Sequence, residues 1–405
     1  MGADLSGFLS RGTALVTGAE NPTGLGAARA LSQHGARVIG ATRSLSAASC
    51  RSRAWNELVH VETGAAPDPD AGWLDALVRV AHRFDSRPFL LPTQDNMVAL
   101  VSRHRDVLKP GFRFVLPDDA VVQTLLDKTR FFDWARAHDL PLPESRIVQD
   151  SSALQQALRE MPYPLVLKPL LRTREWNRIS PVNKVFRLDD PTQINAIEFD
   201  LFAVSAAYVV SQWIEGPDST VHFCLAYCDE PGRMAASFTG RKLLQYPRLT
   251  GSTAIAVGTE NDEVRELTAK LFHLCNFVGL GSLEVKYGPD GRPYITEPTV
   301  GRPNLQSHAA VASGCNLQAI AMAHALDIKW PPLGRKRRCV WVEERGMLEL
   351  LVTRSHVPVE WRPLLNEAIR THRFAGAFWA WRDPMPFLEL AWGMLRRIMR
   401  RLLRR

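Results

Sequence analysis

Apolar runs and helical patterns alternate over the first 115 residues of the chain. Strand-like apolar runs occupy residues 13–18, 36–41 and 89–92. Residues 24–35 and 75–84 carry the period of helices, and Gly35 closes the first of them. Strands that alternate with helices at this spacing predict an open α/β sheet with crossover helices.

After residue 115 the pattern changes. A helix near 128–138 and a strand at 164–168 come first, and longer segments with the period of strands follow. These segments are 207–214, 219–228, 234–244, 280–287 and 292–299. A helix at 261–277 interrupts them, and the residue pattern of these segments predicts an antiparallel sheet. We therefore divide the chain into four parts, at 1–115, 116–205, 206–330 and 331–405.

Positive charge is concentrated near the C-terminus. The formal net charge is +8, and arginines become dense after Gly334 and denser still after Arg396. From Phe387 onward apolar residues recur at the helical period, and arginines fill the other face. Such a basic helix can lie on an anionic membrane surface. There are two alternatives. The helix could dock on the protein's own acidic surface, or the tail could bind nucleic acid, although no specific nucleic acid is expected.

Cysteine spacing and hydropathy indicate the cellular compartment in which the protein is expected. The six cysteines show no metal-ligand spacing. The chain has neither the pattern of a secretion signal nor a run of about 18 apolar residues. We expect a cytoplasmic protein that is peripheral at the inner face of the membrane.

A glycine-rich turn, Gly18 to Gly26, joins the first strand to the first helix. Free backbone N–H groups and the helix dipole suit an anion at such a turn. Tight packing of strand on helix explains the same glycines without a ligand. A third interpretation is an NADP-dependent reductase, with Arg43 placed to meet a 2′-phosphate. Against it, no tyrosine is followed by a lysine four residues later.

A predicted hairpin places two glutamates opposite each other. Asp290-Gly291 between two alternating segments is a strong signal for a two-residue turn. In that register Glu284 faces Glu297 on one side of the sheet. Like charges so close need a neutralising group, and magnesium, which prefers one or two carboxylates plus phosphates, is one candidate. Lys286, on the same face two residues along, is the other.

Several motifs, by their order and spacing, resemble the ATP-grasp superfamily over residues 13–325. They are the helix start Asp127-Lys128-Thr-Arg-Phe131, the strand Pro164-Leu-Val-Leu-Lys168, the segment Ser211 to Asp218, and the two glutamates. The resemblance implies a mixed α/β and α+β chain, with a Rossmann-like pre-ATP-grasp domain before an ATP-grasp fold of two α+β subdomains. The basic helical tail follows. The resemblance also implies ATP and Mg²⁺, with Lys128 and Lys168 at the phosphates.

The segment Ser211-Gln-Trp-Ile-Glu-Gly-Pro-Asp218 resembles the interdomain hinge of that family. The resemblance places the adenine edge on the backbone of Gln212 and Ile214, and the ribose on Asp218. The residues that match the family's magnesium ligands are Glu284, Glu297 and, from a longer loop, Asn304. Thr299 stands where the family usually has an asparagine.

Three more cations complete the implied site, at the transferred phosphate or the substrate carboxylate. They are Arg241, Lys242 and Arg302. The family resemblance predicts a ligase that activates a small carboxylate as an acyl phosphate and couples it to an amine, a thiol or another nucleophile. A homodimer is one expected assembly. The alternatives are a non-catalytic nucleotide-binding scaffold at a membrane and an NADP-dependent reductase.

Overall fold

Three β-sheets, which follow one another along the chain, organise the computed structural model of the protein. The structure describes residues 7–62, 70–170, 174–179, 185–197, 200–332, 337–352, 366–367, 369–371 and 373–402. Every element named below lies in these ranges.

The first sheet is parallel and confirms the predicted open α/β architecture. Its strands are β1 (Thr13–Thr17), β2 (Arg37–Thr42), β3 (Glu57–His60) and β4 (Phe89–Leu91), in the order β3-β2-β1-β4. The helices of this part are α1 (Pro22–Ser32), α2 (Ala71–Ala81), α3 (Asp95–Arg103) and α4 (Arg105–Leu108), and α5 (Asp119–Leu126), which follows, packs in the core of the third sheet. Leu15 and Ile39 pack in a core with α2 and α3, whereas Val16 and Val38 pack with α1. Both faces are therefore covered, which explains the unbroken apolar runs.

The second sheet is antiparallel. Its strands are β5 (Ser145–Val148), β6 (Leu165–Pro169), β7 (Phe186–Leu188) and β8 (Tyr208–Gln212), in the order β5-β8-β6-β7. Its helices are α7 (Ser151–Glu160), α8 (Arg174–Ile179) and α9 (Leu201–Val204), whereas the preceding α6 (Lys128–Ala137) packs in the core of the third sheet. Leu165 and Leu167 are fully buried, so alternation along β6 directs Val166 and Lys168 to the opposite face. The predicted strand at 207–214 is β8, which joins this sheet and not the one that follows.

The third sheet has seven strands within the described ranges. They are β9 (Val221–Glu230), β10 (Arg233–Tyr246), β11 (Ser252–Gly258), β12 (Gly279–Tyr287), β13 (Pro293–Val300), β14 (Val340–Val342) and β15 (Phe374–Gly376), in the order β13-β12-β9-β10-β11-β14-β15. Its helices are α10 (Asp262–Leu274), α11 (Ser307–Ala312), α12 (Leu317–Ala325) and α13 (Glu344–Val352). The four long strands and the helix predicted here are confirmed. The sequence pattern misses β11, because six of its seven residues are buried and no polar alternation marks it.

The C-terminal helix α14 (Met385–Leu402) confirms the predicted basic helix and docks on the N-terminal part. Just before it, Asp383 forms an ion pair of 2.9 Å with Arg29 of α1, and both side chains are nearly buried. Leu390 packs in the same core as α1, so one face of α14 belongs to the protein interior. No helix in the described ranges has the length and apolar character needed to cross a bilayer.

Candidate active site

A cleft of about 470 Å³ opens between the second and third sheets. Strands β6 and β8 contribute to one wall, and β10, β12 and β13 contribute to the other. Nine of the eleven site residues predicted from the sequence line it. They are Lys128, Lys168, Gln212, Ile214, Lys242, Glu284, Glu297, Arg302 and Asn304.

The two glutamates face each other, although the turn between their strands is longer than expected. Tyr287 pairs with Pro293, so the loop exceeds the predicted two residues and shifts the register by one. A β-bulge at Thr296 then inserts one residue and reverses that shift, and Glu284 pairs directly with Glu297. The Thr296 hydroxyl donates to the Glu284 carbonyl oxygen at 3.1 Å and anchors the bulge. The predicted pairing is therefore confirmed by a different route.

Lys242 of β10 neutralises Glu284. Its Nζ lies 2.9 Å from each carboxylate oxygen, and the lysine side chain is only 5% exposed. The alternative partner, Lys286, is not in this position, because its Nζ lies 4.8 Å from the ring centroid of Trp213. Burial there lowers the pKa of Lys286. The structure thus assigns the neutralising role to a cation from another strand.

Glu297 is the less compensated carboxylate. Its pKa is raised, first because the surrounding protein desolvates it and then because the Glu284 charge repels its own. Asn304 donates through Nδ2 to the hydroxyls of Ser282 and Thr299, at 3.0 and 3.2 Å, which turns its carbonyl oxygen the other way. Two facing carboxylates and one amide oxygen suit magnesium that also holds phosphates. The described ranges contain no group of three or more His, Cys, Asp or Glu placed to hold a metal.

Two lysines on the other side of the cleft supply cations. Lys168 lies near the end of β6, and Lys128 begins α6, where its Nζ donates to the Leu170 carbonyl at 3.2 Å. Burial, and next the Lys128 charge, lower the pKa of Lys168 to about 8, while Glu297 acts in the opposite direction. A partly desolvated cation beside a second one gains from a polyanionic ligand such as a polyphosphate.

The hinge segment after β8 is held by its backbone and by one aromatic ring. The amides of Gln212 and Trp213 donate to carbonyl groups of the second sheet's loops, and Gln212 and Ile214 line the cleft. The guanidinium carbon of Arg187 and the Nζ of Lys286 lie 4.9 and 4.8 Å from the Trp213 ring. These contacts fix the position of the segment, and Trp213 and Lys286 line the cleft together with Gln212 and Ile214.

Asp218, predicted to hold a ribose, does not line the cleft. Its carboxylate is buried and accepts from Arg248 Nε at 2.7 Å and from the amides of Gln245 and Leu249 at 2.9 and 2.8 Å. All three donors belong to the end of β10 and the turn that follows it. The structure therefore corrects this assignment, because Asp218 fixes that turn and its oxygens are already in use.

The two arginines predicted at the site lie in different places. Arg241 does not line the cleft, since it alternates with Lys242 along β10 and lies 3.5 Å from Glu367. Its predicted catalytic place is therefore corrected. Arg302 does line the cleft, and two of its nitrogens donate to Asp95 of α3 at 2.5 and 3.1 Å. This bidentate pair ties the loop after β13 to the N-terminal part.

The glycine-rich turn packs tightly, as the interpretation without a ligand predicts. A Cβ on Gly24 would lie 2.3 Å from the Gly18 carbonyl oxygen, and Asn21 caps α1 by accepting from the Gly24 amide at 2.8 Å. Thr23 nevertheless lines the cleft, as do residues after β10 and β13 that no motif marks. Among the unpredicted polar residues are Gln245, Thr253 and Gln306. Only tertiary contacts bring them together.

Solved structures identify the class of fold. The chain is similar to N5-carboxyaminoimidazole synthetase from Staphylococcus aureus, with a TM-score of 0.62 and 12% identity over 84% of each chain. It is also similar to the biotin carboxylase domain of Hydrogenobacter thermophilus 2-oxoglutarate carboxylase, solved with MgADP, ADP and bicarbonate. That TM-score is 0.60, at 14% identity over 80% of this chain and 71% of that one. The fold is that of the ATP-grasp superfamily, as the sequence motifs imply.

Sequence comparison adds particular relatives, although no family model matches the chain. The chain is 23% identical over 276 residues to D-aspartate ligase of Enterococcus faecium, and this alignment covers 65% of each protein. It is 24% identical over 210 residues to D-alanine–D-alanine ligase B of Pseudomonas putida, and this alignment covers 49% of this chain and 63% of that one. The matches span slightly less than two thirds of either relative.

Proposed function

We propose that this protein is an ATP-dependent ligase that activates a carboxylate as an acyl phosphate and couples it to an amine or another nucleophile. The observation that carries the proposal is the direct pairing of Glu284 with Glu297 in the cleft that Lys168 also lines. Two relatives named as ligases, and a similar fold solved with MgADP, support it.

The cleft offers complementary groups for each part of magnesium ATP. The metal ligands would be Glu284, Glu297 and Asn304, and the phosphate contacts would be Lys128 and Lys168. The backbone at Gln212 and Ile214 would take the adenine edge. When bound, magnesium ATP supplies the phosphoryl group for the carboxylate.

The chain's own residues would act by position and charge. Lys242, 2.9 Å from the Glu284 carboxylate, compensates part of the negative charge at the metal site. Lys168 presents a positive charge at pH values below about 8. Arg302, oriented by Asp95, places a guanidinium at the edge of the cleft for the transferred phosphate or the substrate carboxylate.

Dependence of ATP turnover on two substrates tests the proposal. With magnesium, ADP release is expected only when a carboxylate and an amine are both present. D-Aspartate and D-alanine, singly and in pairs with other amino acids, are the first candidates, because they occur in the names of the relatives. The product should have the mass of the pair less one water. If ATP binds but no pair of substrates releases ADP, the non-catalytic scaffold is favoured. If the purified protein shows the absorbance of a bound nicotinamide, the reductase is favoured.

We also propose that α14 binds an anionic membrane surface and keeps a cytoplasmic protein at the inner face of the membrane. Away from its buried face, the helix exposes an apolar stripe. Its members are Met385, Leu388, Trp392, Leu395 and Met399, each 44–50% exposed. Their spacing of three and four residues follows one face of the helix. Arg396 lies with its guanidinium carbon 4.9 Å from the Trp392 ring centroid, so cations flank the stripe as an anionic interface requires.

Vesicle co-sedimentation tests this stripe. We expect the wild type to bind vesicles that contain phosphatidylserine. The double variant Leu388→Ser/Leu395→Ser should bind them with an affinity at least roughly tenfold lower, because two leucines no longer enter the interface. Leu45→Ser, at a residue 46% exposed elsewhere, is the matched control. Removing residues after Pro386 is a poorer test, since it also removes Leu390 from the core.

Equal sedimentation of the wild type and the double variant would contradict the membrane proposal. If light scattering instead showed a dimer that only the double variant loses, the stripe would belong to a second copy of the chain.

A further inference from the structure

The ribose of the nucleotide is the one part for which the cleft has no assigned partner. The family resemblance gives this role to Asp218, but that carboxylate does not line the cleft and already accepts three hydrogen bonds. In ATP the ribose joins the adenine to the phosphates. A residue that meets it must therefore lie between the hinge after β8 and the facing carboxylates of Glu284 and Glu297.

Lys286 of β12 lies between these two places. Leu283 and Val285 are buried in the core behind the sheet, so alternation along the strand directs Glu284 and Lys286 to the cleft, which both of them line. Two residues advance along a strand by about 6.7 Å. From there the Nζ of Lys286 reaches to 4.8 Å from the ring centroid of Trp213 in the hinge. The lysine thus connects the carboxylate end of the cleft to the adenine end.

The ammonium of Lys286 has unused hydrogen-bond donors. An ammonium carries three N–H donors and no acceptor. In the part of the chain that the structure describes, none of the three is engaged in a hydrogen bond or an ion pair. Its Nζ is not one of the fully buried atoms that lack a partner there, so it keeps accessible surface although the residue is only 7% exposed. The cleft is therefore lined by a donor that a ligand can reach.

Neighbouring charges favour a cation at this position without occupying its donors. Burial lowers the pKa of Lys286, and the charges of Asp218 and Glu215 act in the opposite direction. Each of these carboxylates already has an arginine, Arg248 at 2.7 Å from Asp218 and Arg187 at 2.8 Å from Glu215. The hinge ring adds a cation–π contact. The ammonium is thus held in place while its hydrogen-bonding capacity stays available.

We propose that Lys286 donates a hydrogen bond to a ribose hydroxyl and so selects ribonucleotides over deoxyribonucleotides; this deepens the proposed function and rests on it. The arrangement is the reverse of the one implied for Asp218, because here the hydroxyl oxygen accepts, whereas a carboxylate would accept from the hydroxyl. Hydrogen bonds to a charged donor are stronger than neutral ones, so the missing hydroxyl of a deoxynucleotide should lower its affinity. Lys286 is then a specificity-determining residue that acts on binding.

Calorimetry with ADP, 2′-deoxy-ADP and 3′-deoxy-ADP, each with magnesium, tests this assignment. The wild type should bind ADP at least about tenfold more tightly than one of the two analogues. Lys286→Met keeps an unbranched side chain and removes the ammonium, so ADP should bind about tenfold more weakly and with nearly the affinity of that analogue. Lys286→Gln retains an uncharged N–H donor and should keep only part of the preference.

Two control variants separate the ribose contact from other effects. Arg187→Met removes the other cation on the Trp213 ring, and because Arg187 does not line the cleft, the preference for ADP should stay at the wild-type value. Lys168→Ala, at the phosphates, should weaken all three nucleotides by a similar factor and leave their ratio unchanged. Thermal melting of each variant shows whether it is folded at the assay temperature.

Equal affinity of the wild type for ADP and both analogues would overturn the ribose contact. So would a Lys286→Met variant that weakens all three nucleotides by the same factor, since this result would place the ammonium at a phosphate. If Lys286→Met is unfolded, an undiminished preference in Lys286→Gln would overturn the contact in its place. A wild type that binds no adenine nucleotide at all would reject the proposed function itself, and this inference with it.

Discussion

Replacing Glu284 or Glu297 with glutamine is expected to lower ATP turnover by about a hundredfold, and the double variant should be scarcely worse than either single one. The two carboxylates are directly paired and would share one magnesium ion, so removing either damages the same site and the losses should not add. Turnover is measured for all three variants at low and high magnesium. Excess magnesium should partly rescue the single variants and not the double.

The structure also predicts a difference between the two single variants. Glu284→Gln leaves the buried Lys242 without its carboxylate and should lower thermal stability. Glu297→Gln removes a carboxylate whose pKa is raised by burial and by Glu284, so it should cost little stability. Because a raised pKa means that protons compete with the metal, magnesium affinity should fall as the pH is lowered.

Asp290→Asn, in the exposed loop of the same hairpin, is the control for effects on the hairpin itself. Two single glutamine variants with nearly normal turnover would reject the shared metal site. The central support for an ATP-grasp reaction in this cleft would then be lost.

Lys168→Ala should weaken ATP binding roughly ten- to hundredfold without unfolding the protein, because one charged contact to phosphate is removed. The pH profile is a sharper test. The pKa of Lys168 is lowered to about 8, so the lysine is charged below that pH and loses its charge as the pH rises through it. The value of kcat/KM for ATP, which reports on the free protein, should therefore fall above about pH 8.

Two variants separate Lys168 from other titrating groups. Lys168→Arg keeps its charge at all these pH values, so the fall in kcat/KM should disappear. Lys128→Ala removes the neighbouring charge, the second cause of the lowered pKa, so the fall should move to higher pH even though affinity drops. An unaltered profile in both variants, or unchanged ATP affinity in Lys168→Ala by calorimetry, would show that this lysine does not meet the phosphates.

Local patterns in the chain were enough to predict elements whose signal lies within a few residues. Three of the four parallel strands of the first sheet, the strand that carries Lys168, and the long strands of the third sheet follow from apolar periodicity, whereas β3 was not predicted. The pairing of Glu284 with Glu297 also follows from local register, but through two errors that cancel. The turn is longer than Asp290-Gly291 predicts, and the bulge at Thr296 has no signature that would reveal it beforehand.

Partners that are distant in sequence depend on packing, which no local pattern contains. Lys286 has the right spacing to neutralise Glu284, yet Lys242, 42 residues away, is the residue that does so. The family resemblance predicts that Asp218 holds a ribose, yet the turn after β10 folds back and occupies its carboxylate. Alternation along β10 similarly turns Arg241 away from the cleft while Lys242 lines it.

The same reason explains two glutamines that line the cleft, and the C-terminal helix. Gln245 and Gln306 are neighbours only because Thr253 contacts both, and neither has a feature in the sequence that marks a site. The period of α14 predicts a helix with an apolar face but cannot say which apolar residues the protein itself covers. That division follows from where Asp383 meets Arg29, 354 residues away, because this ion pair sets the position at which the helix docks.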